Sequence, residues 1–461
     1  MKMKSQKPKI KEVFISSLVS PKDQSLVEMV YSEEQDSTSF VQYFNGEIDE
    51  REYLEKDDGK TRLLPFPPDY DLVKNKVVLF PSYPEEYNSD SDLLKGIRQF
   101  IHRYLDVSEF FEHIASYYVM FTWVYDCFNE LPYLRALGDY GSGKSRFLKV
   151  IGSLCYKPMF TAGATTVSPI FRIIDSFRGT LILDEADLKF SDTTTEIVKI
   201  LNSGYSKGVP VLRSVGDGKN DYEVKSFNVY CPKIIATRGR FKDKALESRF
   251  LIEVMDSGRL RDDIPINLPD NFDQAALAIR NKLLMWRFRN YGQKKIKHEL
   301  IDKTIEPRLN QIIIPLASVI EDESLVNNLK DFIREYNKQL TSDRGMTWEA
   351  GILESIIELR KELVSNPTMK EIADKYNGQG EQVDKITSRK VGYVVREKLG
   401  FITGKTREGY IVESNEKNDT RFFHLVTRYG LDDLLGDEKS ERVNVTNVVE
   451  GTDKGDLPDF G

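Results

Sequence analysis

The chain has 461 residues, 40% of them hydrophobic and 11% aromatic, with a formal net charge of -7. This is enough apolar material for a real core and about three domains, and it excludes both a disordered chain and one surrounded by a global basic field. Any nucleic-acid contact must then come from local patches.

The amino terminus, MKMKSQKPKIKEVF, is basic but has no apolar segment behind it, so no secretory signal is expected. Residues 1–90 carry dense charge and Pro/Gly punctuation such as "LPFPPDYD", and they read as a small module of unknown role. In residues 91–130, Leu94, Ile97, Phe100, Ile101 and Tyr104, then Phe110, Ile114 and Tyr118, recur at helical spacing and predict a helical lead-in. The most apolar run, 114–125, is too short to span a bilayer and is broken by Ser116 and Thr122. Cys127, Cys155 and Cys231 lie far apart without a CxxC pair, which fits a reducing compartment and offers no zinc-ribbon spacing. A cytoplasmic protein without a membrane partner is expected.

From residue 131 the texture changes. "YLRAL" (133–137), "PMFTA" (158–162), "TLILDE" (180–185), "PKIIATR" (232–238) and "FLIEVM" (250–255) are strand-length and mostly separated by helical stretches. That is the pattern of an α/β fold with a parallel sheet covered on both faces, here over 131–262. Helical periodicity returns from Asn271 to about Leu363, and residues 263–345 are expected to form a helical domain.

Gly138, Asp139, Tyr140, Gly141, Ser142, Gly143, Lys144 and Ser145 fit G-x-x-x-x-G-K-[ST] between a strand and a helix, the setting of a P-loop. Its glycines let backbone N–H groups converge on phosphates. Lys144 supplies a point charge for the β and γ oxygens, and the Ser145 hydroxyl can ligate Mg2+. Arg146, next on the helix, is counted with the ATP-binding residues. In "GTLILDEAD" an apolar strand ends in Asp184 and Glu185, at the edge where such sheets bind ligands. Asp184 would hold the magnesium, and Glu185 would polarise the water that attacks the γ-phosphate.

Over 131–288 the sequence resembles the AAA+ ATPases, on four ordered elements: the P-loop, "LILDE", "IIATR" and "ALESRF". The resemblance implies that Thr237, ending the strand that lies between the other two, senses the γ-phosphate. It implies that Arg249 acts in trans as an arginine finger in a ring, and that the helical lid carries a sensor arginine. Arg280 matches that position best, with Arg287 and Arg289 close by.

"VPVLRSVGDGKNDYEVKSFNVY" alternates around a Gly-Asp-Gly-Lys-Asn turn and reads as a β-hairpin with Lys219 at its tip and Arg213 on an arm. A hairpin just before the sensor strand resembles the AAA+ branch containing the superfamily 3 and MCM-type helicases, in which a basic tip grips DNA in the ring's channel. Two departures stand out. Residues 163–179 have no room for the extra hairpin of MCM proteins, and Thr237 stands where superfamily 3 enzymes usually show Asn. The likeness is to helicase-like ATPases of phages, plasmids and mobile elements, which often work beside a primase, although no primase motif is visible.

Residues 346–425 contain "NPTMKEIADKYN" and "TSRKVGYVVREKLGF", two helices, and then "FITGKTREGYIV", two strands around a turn. Arg389, Tyr393 and Arg396 fall at i, i+4 and i+7 on the second helix. The stretch resembles a winged helix-turn-helix, which implies that the second helix enters the major groove while Lys405 and Arg407 touch phosphate; such domains also dock proteins. Residues 426–461 read as an acidic tail.

The expected protein is therefore a hexameric AAA+ ATPase, a DNA helicase or translocase that uses ATP and Mg2+ to move on single-stranded DNA and unwind it in the replication of a phage or mobile element, with duplex contact at the winged helix. Two alternatives stand beside it: a helicase loader or protein remodeller, and an ATP-regulated DNA-binding protein.

Overall fold

A computed structural model describes residues 10–20, 25–162, 165–184, 192–216, 222–241, 243–255, 260–345, 348–378 and 385–435. The chain divides into two units, Met1–Asp331 and Phe332–Gly461.

The first unit begins with seven strands in the stretch that sequence left without structure: β1 (Lys11–Phe14), β2 (Ser17–Val19), β3 (Leu26–Ser32), β4 (Ser37–Phe44), β5 (Glu47–Arg51), β6 (Leu54–Glu55) and β7 (Thr61–Leu64). They form a four-stranded sheet, β2-β3-β4-β5, and a three-stranded one, β1-β7-β6. Strand β3 is buried from Leu26 to Val30, with Glu28 in its middle only 1% exposed. That carboxylate is held by Lys157 at 2.9 Å and Arg287 at 2.8 Å, and Arg287 also pairs with Asp126 at 2.9 Å. A buried charge survives only when paired in this way, so the network joins the amino-terminal sheets to the rest of the unit.

Helices α1 (Asp71–Lys74), α2 (Asp90–Tyr104) and α3 (Glu109–Thr122) follow, and the last two match the predicted lead-in. Ser89 and Ser108 cap α2 and α3 by accepting from the Asp92 and Phe111 N–H groups.

The core then alternates β8 (Tyr133–Leu137), α4 (Lys144–Gly152), β9 (Met159–Thr161), α5 (Val167–Phe177), β10 (Leu181–Leu183) and α6 (Asp192–Ser203). A hairpin comes next, β11 (Val211–Gly216) with β12 (Tyr222–Phe227), and then β13 (Lys233–Thr237), α7 (Lys244–Glu247) and β14 (Phe250–Val254). Five of these strands form one parallel sheet in the order β14-β8-β13-β10-β9. Strand β13 lies between β8 and β10, as required for a P-loop AAA+ core in which the Thr237 strand separates the other two. The fold is mixed α/β, a five-stranded parallel sheet with helices, consistent with such a core. The sheet is buried because its strands are nearly all apolar, Leu181–Leu183 and Lys233–Thr237 among them. Helices α8 (Phe272–Asn290), α9 (Pro307–Val319) and α10 (Glu323–Gly345) complete the predicted helical stretch, and the division between the units falls within α10.

The second unit holds α11 (Trp348–Lys361), α12 (Met369–Gly378), α13 (Ser388–Tyr393), β15 (Thr403–Thr406), β16 (Gly409–Val412) and α14 (Glu416–Tyr429). Thr368 and Glu371 cap α12 reciprocally, the Thr368 N–H donating to Glu371 at 2.8 Å and the Glu371 N–H to the Thr368 hydroxyl at 3.1 Å. The strands pair antiparallel around a two-residue turn, and Thr368 bridges to Ile411. The expected tail is corrected at its start: residues 426–429 belong to α14, with Val426 and Tyr429 buried in the unit's core. Among the described residues no helix is long and apolar enough to cross a membrane.

Candidate active site

The register of the sheet gathers the candidate residues. Leu137 lies opposite Thr237, and Leu183 opposite Ile235, so Gly138, Asp184 and Thr237 end at the same carboxyl edge. The Gly138 N–H donates to the Thr237 carbonyl at 3.2 Å. A Cβ at Gly138 would stand 2.5 Å from the Met255 carbonyl oxygen, so only glycine fits there. Gly141 and Gly143 turn the loop with φ of 74° and 86°, and Gly143 caps α4. The turn therefore delivers the amino-terminal end of α4 to the space an anion would fill.

Within the loop, Lys144 Nζ donates back to the Asp139 carbonyl at 2.5 Å, and the Ser142 hydroxyl donates to the same oxygen at 2.9 Å. Ser145 is exposed at the start of α4. Asp184 follows β10 directly, its N–H donating to the Thr161 carbonyl at 3.0 Å. Glu185 lies outside the described residues, as does Lys219. Thr237 is 2% exposed and its hydroxyl has no hydrogen-bond partner among the described residues. A buried hydroxyl with nothing to bond is costly, and one at this edge is what a γ-phosphate sensor would present. The unpartnered hydroxyl and the glycine cradle both fit a nucleotide triphosphate. A magnesium ion would be held there by Ser145 and Asp184.

Beside the loop opens a pocket of about 650 Å³, within the range of small-molecule sites. Its wall opposite the P-loop is the α2–α3 connection, Leu105 to Ser108. Glu253 on β14 fastens that connection, accepting from the Ser108 N–H at 2.8 Å and the Ser108 hydroxyl at 3.2 Å. Burial raises the Glu253 pKa. A third wall is a strap that includes Leu260 and Ile266. The Arg261 N–H donates to Asp106 at 3.0 Å, and the Arg146 guanidinium donates to the Pro265 carbonyl at 2.6 Å and to that of Ile266. Arg146 thus serves the strap. Sequence reading missed all three walls, because their residues are ordinary loop and strand-end residues and only the fold brings them together. It also passed over Arg238, which stands 3.3 Å above the Tyr140 ring of the P-loop, although the "R" of "IIATR" was in view.

Five arginines are engaged by partners within their own chain. Arg280 is buried with its guanidinium on the Ser153 carbonyl at 2.8 Å, just past the carboxyl end of α4 and so the length of that helix from the phosphate turn. Burial pushes its pKa down to about 10. Its neighbours are equally committed, Arg287 to Glu28 and Asp126 and Arg289 to Glu86 at 2.6 Å, so none of the three reaches the loop. Arg280, the lid arginine that best matches a nucleotide sensor, holds Ser153 in this structure. Arg249 is 5% exposed, its guanidinium 4.1 Å from the Tyr205 ring and donating to Asn202. Acting in trans would require it to leave both. Arg213 bonds Glu196 at 3.1 Å and lies 5.3 Å from the Phe171 ring, which fastens β11 to α5 and α6 and gives Arg213 a partner other than DNA.

In the second unit Arg389, Tyr393 and Arg396 are exposed, but they do not share one α-helical face. After Tyr393 the helix widens to a π turn over Val394–Lys398, closed by the Leu399 N–H to the Val394 carbonyl at 2.9 Å. The extra residue per turn swings Arg396 out of the i+7 position. Lys405 and Arg407 are exposed on and beside the hairpin.

No family model matches the sequence, and no curated protein matches it. Among solved structures the chain is similar to the carboxy-terminal region of NrS-1 in its A form, at 11% identity and a TM-score of 0.36, over 84% of this chain and 97% of that one. It is similar to inhibitor-bound JCV helicase at 13% identity and a TM-score of 0.22, over 54% of this chain and 61% of that one. A third likeness is to the Thermotoga maritima RuvB Holliday junction branch migration motor, at 14% identity and a TM-score of 0.21, over 72% and 98%.

Proposed function

We propose that the chain is an ATP-hydrolysing AAA+ motor that forms a ring of six copies and translocates on DNA in the replication of a phage or mobile element. The observation that carries the ATPase reading is the meeting of the P-loop, Asp184 and the unpartnered Thr237 hydroxyl at one sheet edge. Lys144 and the α4 amino terminus hold the phosphates, and the pocket beside them takes the nucleoside. Bound magnesium would supply charge neutralisation on the β and γ oxygens. Glu185 takes the proton of the attacking water, and Thr237 orients the γ-phosphate.

The DNA half of the reading rests on the β11–β12 hairpin, whose connecting sequence includes Lys219, and on the exposed cations Arg389, Arg396, Lys405 and Arg407 of the second unit. There the isolated Thr368–Ile411 bridge adds one pairing to the β15–β16 hairpin just ahead of α12, which favours a winged-helix assignment. One observation favours a second reading. Leu212 and Val224 are exposed on the same face of the hairpin, where they would grip a polypeptide as a remodeller does.

The test is a pair of variants. Lys144→Ala is expected to lose nucleotide binding, whereas Glu185→Gln should bind ATP and fail to cleave it. Normal hydrolysis by Glu185→Gln would overturn the assignment of the base.

A further inference from the structure

The π turn that displaces Arg396 carries it to the hairpin, where its guanidinium lies 5.2 Å from the Tyr410 ring centroid. A Cβ on Gly392 would stand 3.3 Å from that guanidinium, so a small residue keeps the space Arg396 needs. Tyr410 is directly opposite Lys405 across the hairpin, which puts the two side chains on one face. On that same face Val412, two residues on, is buried in the unit's core, so the face turns toward the helices. Tyr393 is the last α-helical residue before the π turn that carries Arg396.

The result is a strip between helix and hairpin: Tyr393, Arg396, Tyr410, Lys405. Tyr393 is 54% exposed and Tyr410 48%. Arg389, Arg396, Lys405 and Arg407 make no ion pair among the described residues, whereas Arg360 and Lys375 of the same unit are paired. Water-exposed tyrosine rings alternating with unpaired cations have little structural use. They match a strand whose bases are free to stack and whose phosphates need charge. A duplex keeps its base faces covered, and a helix that changes pitch after six residues does not present the regular row a major groove reads.

We infer that this strip binds an unpaired DNA strand, its bases stacking on Tyr393 and Tyr410 and its phosphates meeting Arg396 and Lys405. The inference rests on DNA being the partner proposed above, but not on the motor.

The experiment is photocross-linking of the full chain to a thymidine oligonucleotide carrying 5-iododeoxyuridine, with the modified peptides mapped by mass spectrometry. Cross-links at Tyr393 or Tyr410 are expected, severalfold stronger than with the same sequence as a duplex. Cross-links at neither tyrosine, or equal yields with duplex, overturn the strip; ATP turnover still stimulated by DNA in the same preparation would leave the motor standing. Cross-links without stimulation would do the reverse. In a Lys219→Ala background, which removes the first unit's hairpin contact, the double variant Tyr393→Leu/Tyr410→Leu should lose about tenfold or more in affinity for the oligonucleotide at fixed salt. Arg396→Lys, which keeps the charge and weakens the stack, should fall between. Affinity unchanged in both also overturns the inference.

Discussion

Arg146, one residue beyond the proposed magnesium ligand Ser145, donates to the Pro265 carbonyl at 2.6 Å, so the phosphate-binding helix itself holds the strap beside the nucleoside pocket. A side chain anchored on backbone carbonyls positions a wall without touching the phosphates. Arg146→Ala should therefore raise KM for ATP by roughly tenfold while kcat changes less than about threefold. A steady-state titration checks this; a fall in kcat at unchanged KM would put Arg146 on the phosphates instead.

The Thr237 hydroxyl is buried without a partner among the described residues, which separates its functional role from any structural one. Thr237→Val keeps the shape and deletes the orphaned group, so the thermal midpoint should stay level or rise. Hydrolysis should fall by at least about tenfold, because the γ-phosphate loses its sensor. Loss of stability together with full turnover would contradict both halves.

Arg249 tests the ring. Packed on Tyr205 and Asn202, it supports its own chain, and a finger role demands that it swing out. If it does, mixing inactive Lys144→Ala with inactive Arg249→Ala should restore measurable ATP turnover, because a Lys144→Ala subunit lends its arginine to an intact P-loop next door. No recovery in mixed assemblies of confirmed size would make Arg249 structural.

Lys157 carries a pH signature. Burial lowers its pKa to about 8, although the Glu28 carboxylate pulls the other way. The folded chain then sheds this proton before the unfolded one does, so between about pH 8 and about pH 10.5 the unfolded state binds more protons and stability from this site rises with pH. The thermal midpoint of wild type relative to Lys157→Met should climb over that window and stay flat below it. Glu28→Gln, which leaves the buried Lys157 without its carboxylate while Arg287 keeps Asp126, should cost about 3–5 kcal/mol in denaturant unfolding.

The sheet and the phosphate turn were legible because their signals are local: apolar runs of strand length, and a glycine spacing that only a phosphate cradle needs. Thr237 could be placed for the same reason, as the last residue of such a run. What escaped depends on residues distant in sequence. Nothing around Glu28 announces that Lys157 and Arg287 will meet it, and that network is what makes residues 10–64 part of the first unit. For Arg280, helical spacing gives the face of α8 but not what that face packs on, here Ser153. Arg396 was misplaced because a π turn leaves no mark in a periodicity count.

The central claim, a motor coupled to DNA, is tested most directly by the steady-state ATPase rate with and without single-stranded DNA, for wild type and Lys219→Ala at one salt concentration. The account predicts a rate stimulated by DNA in wild type and not in Lys219→Ala. A wild-type rate indifferent to DNA would contradict it.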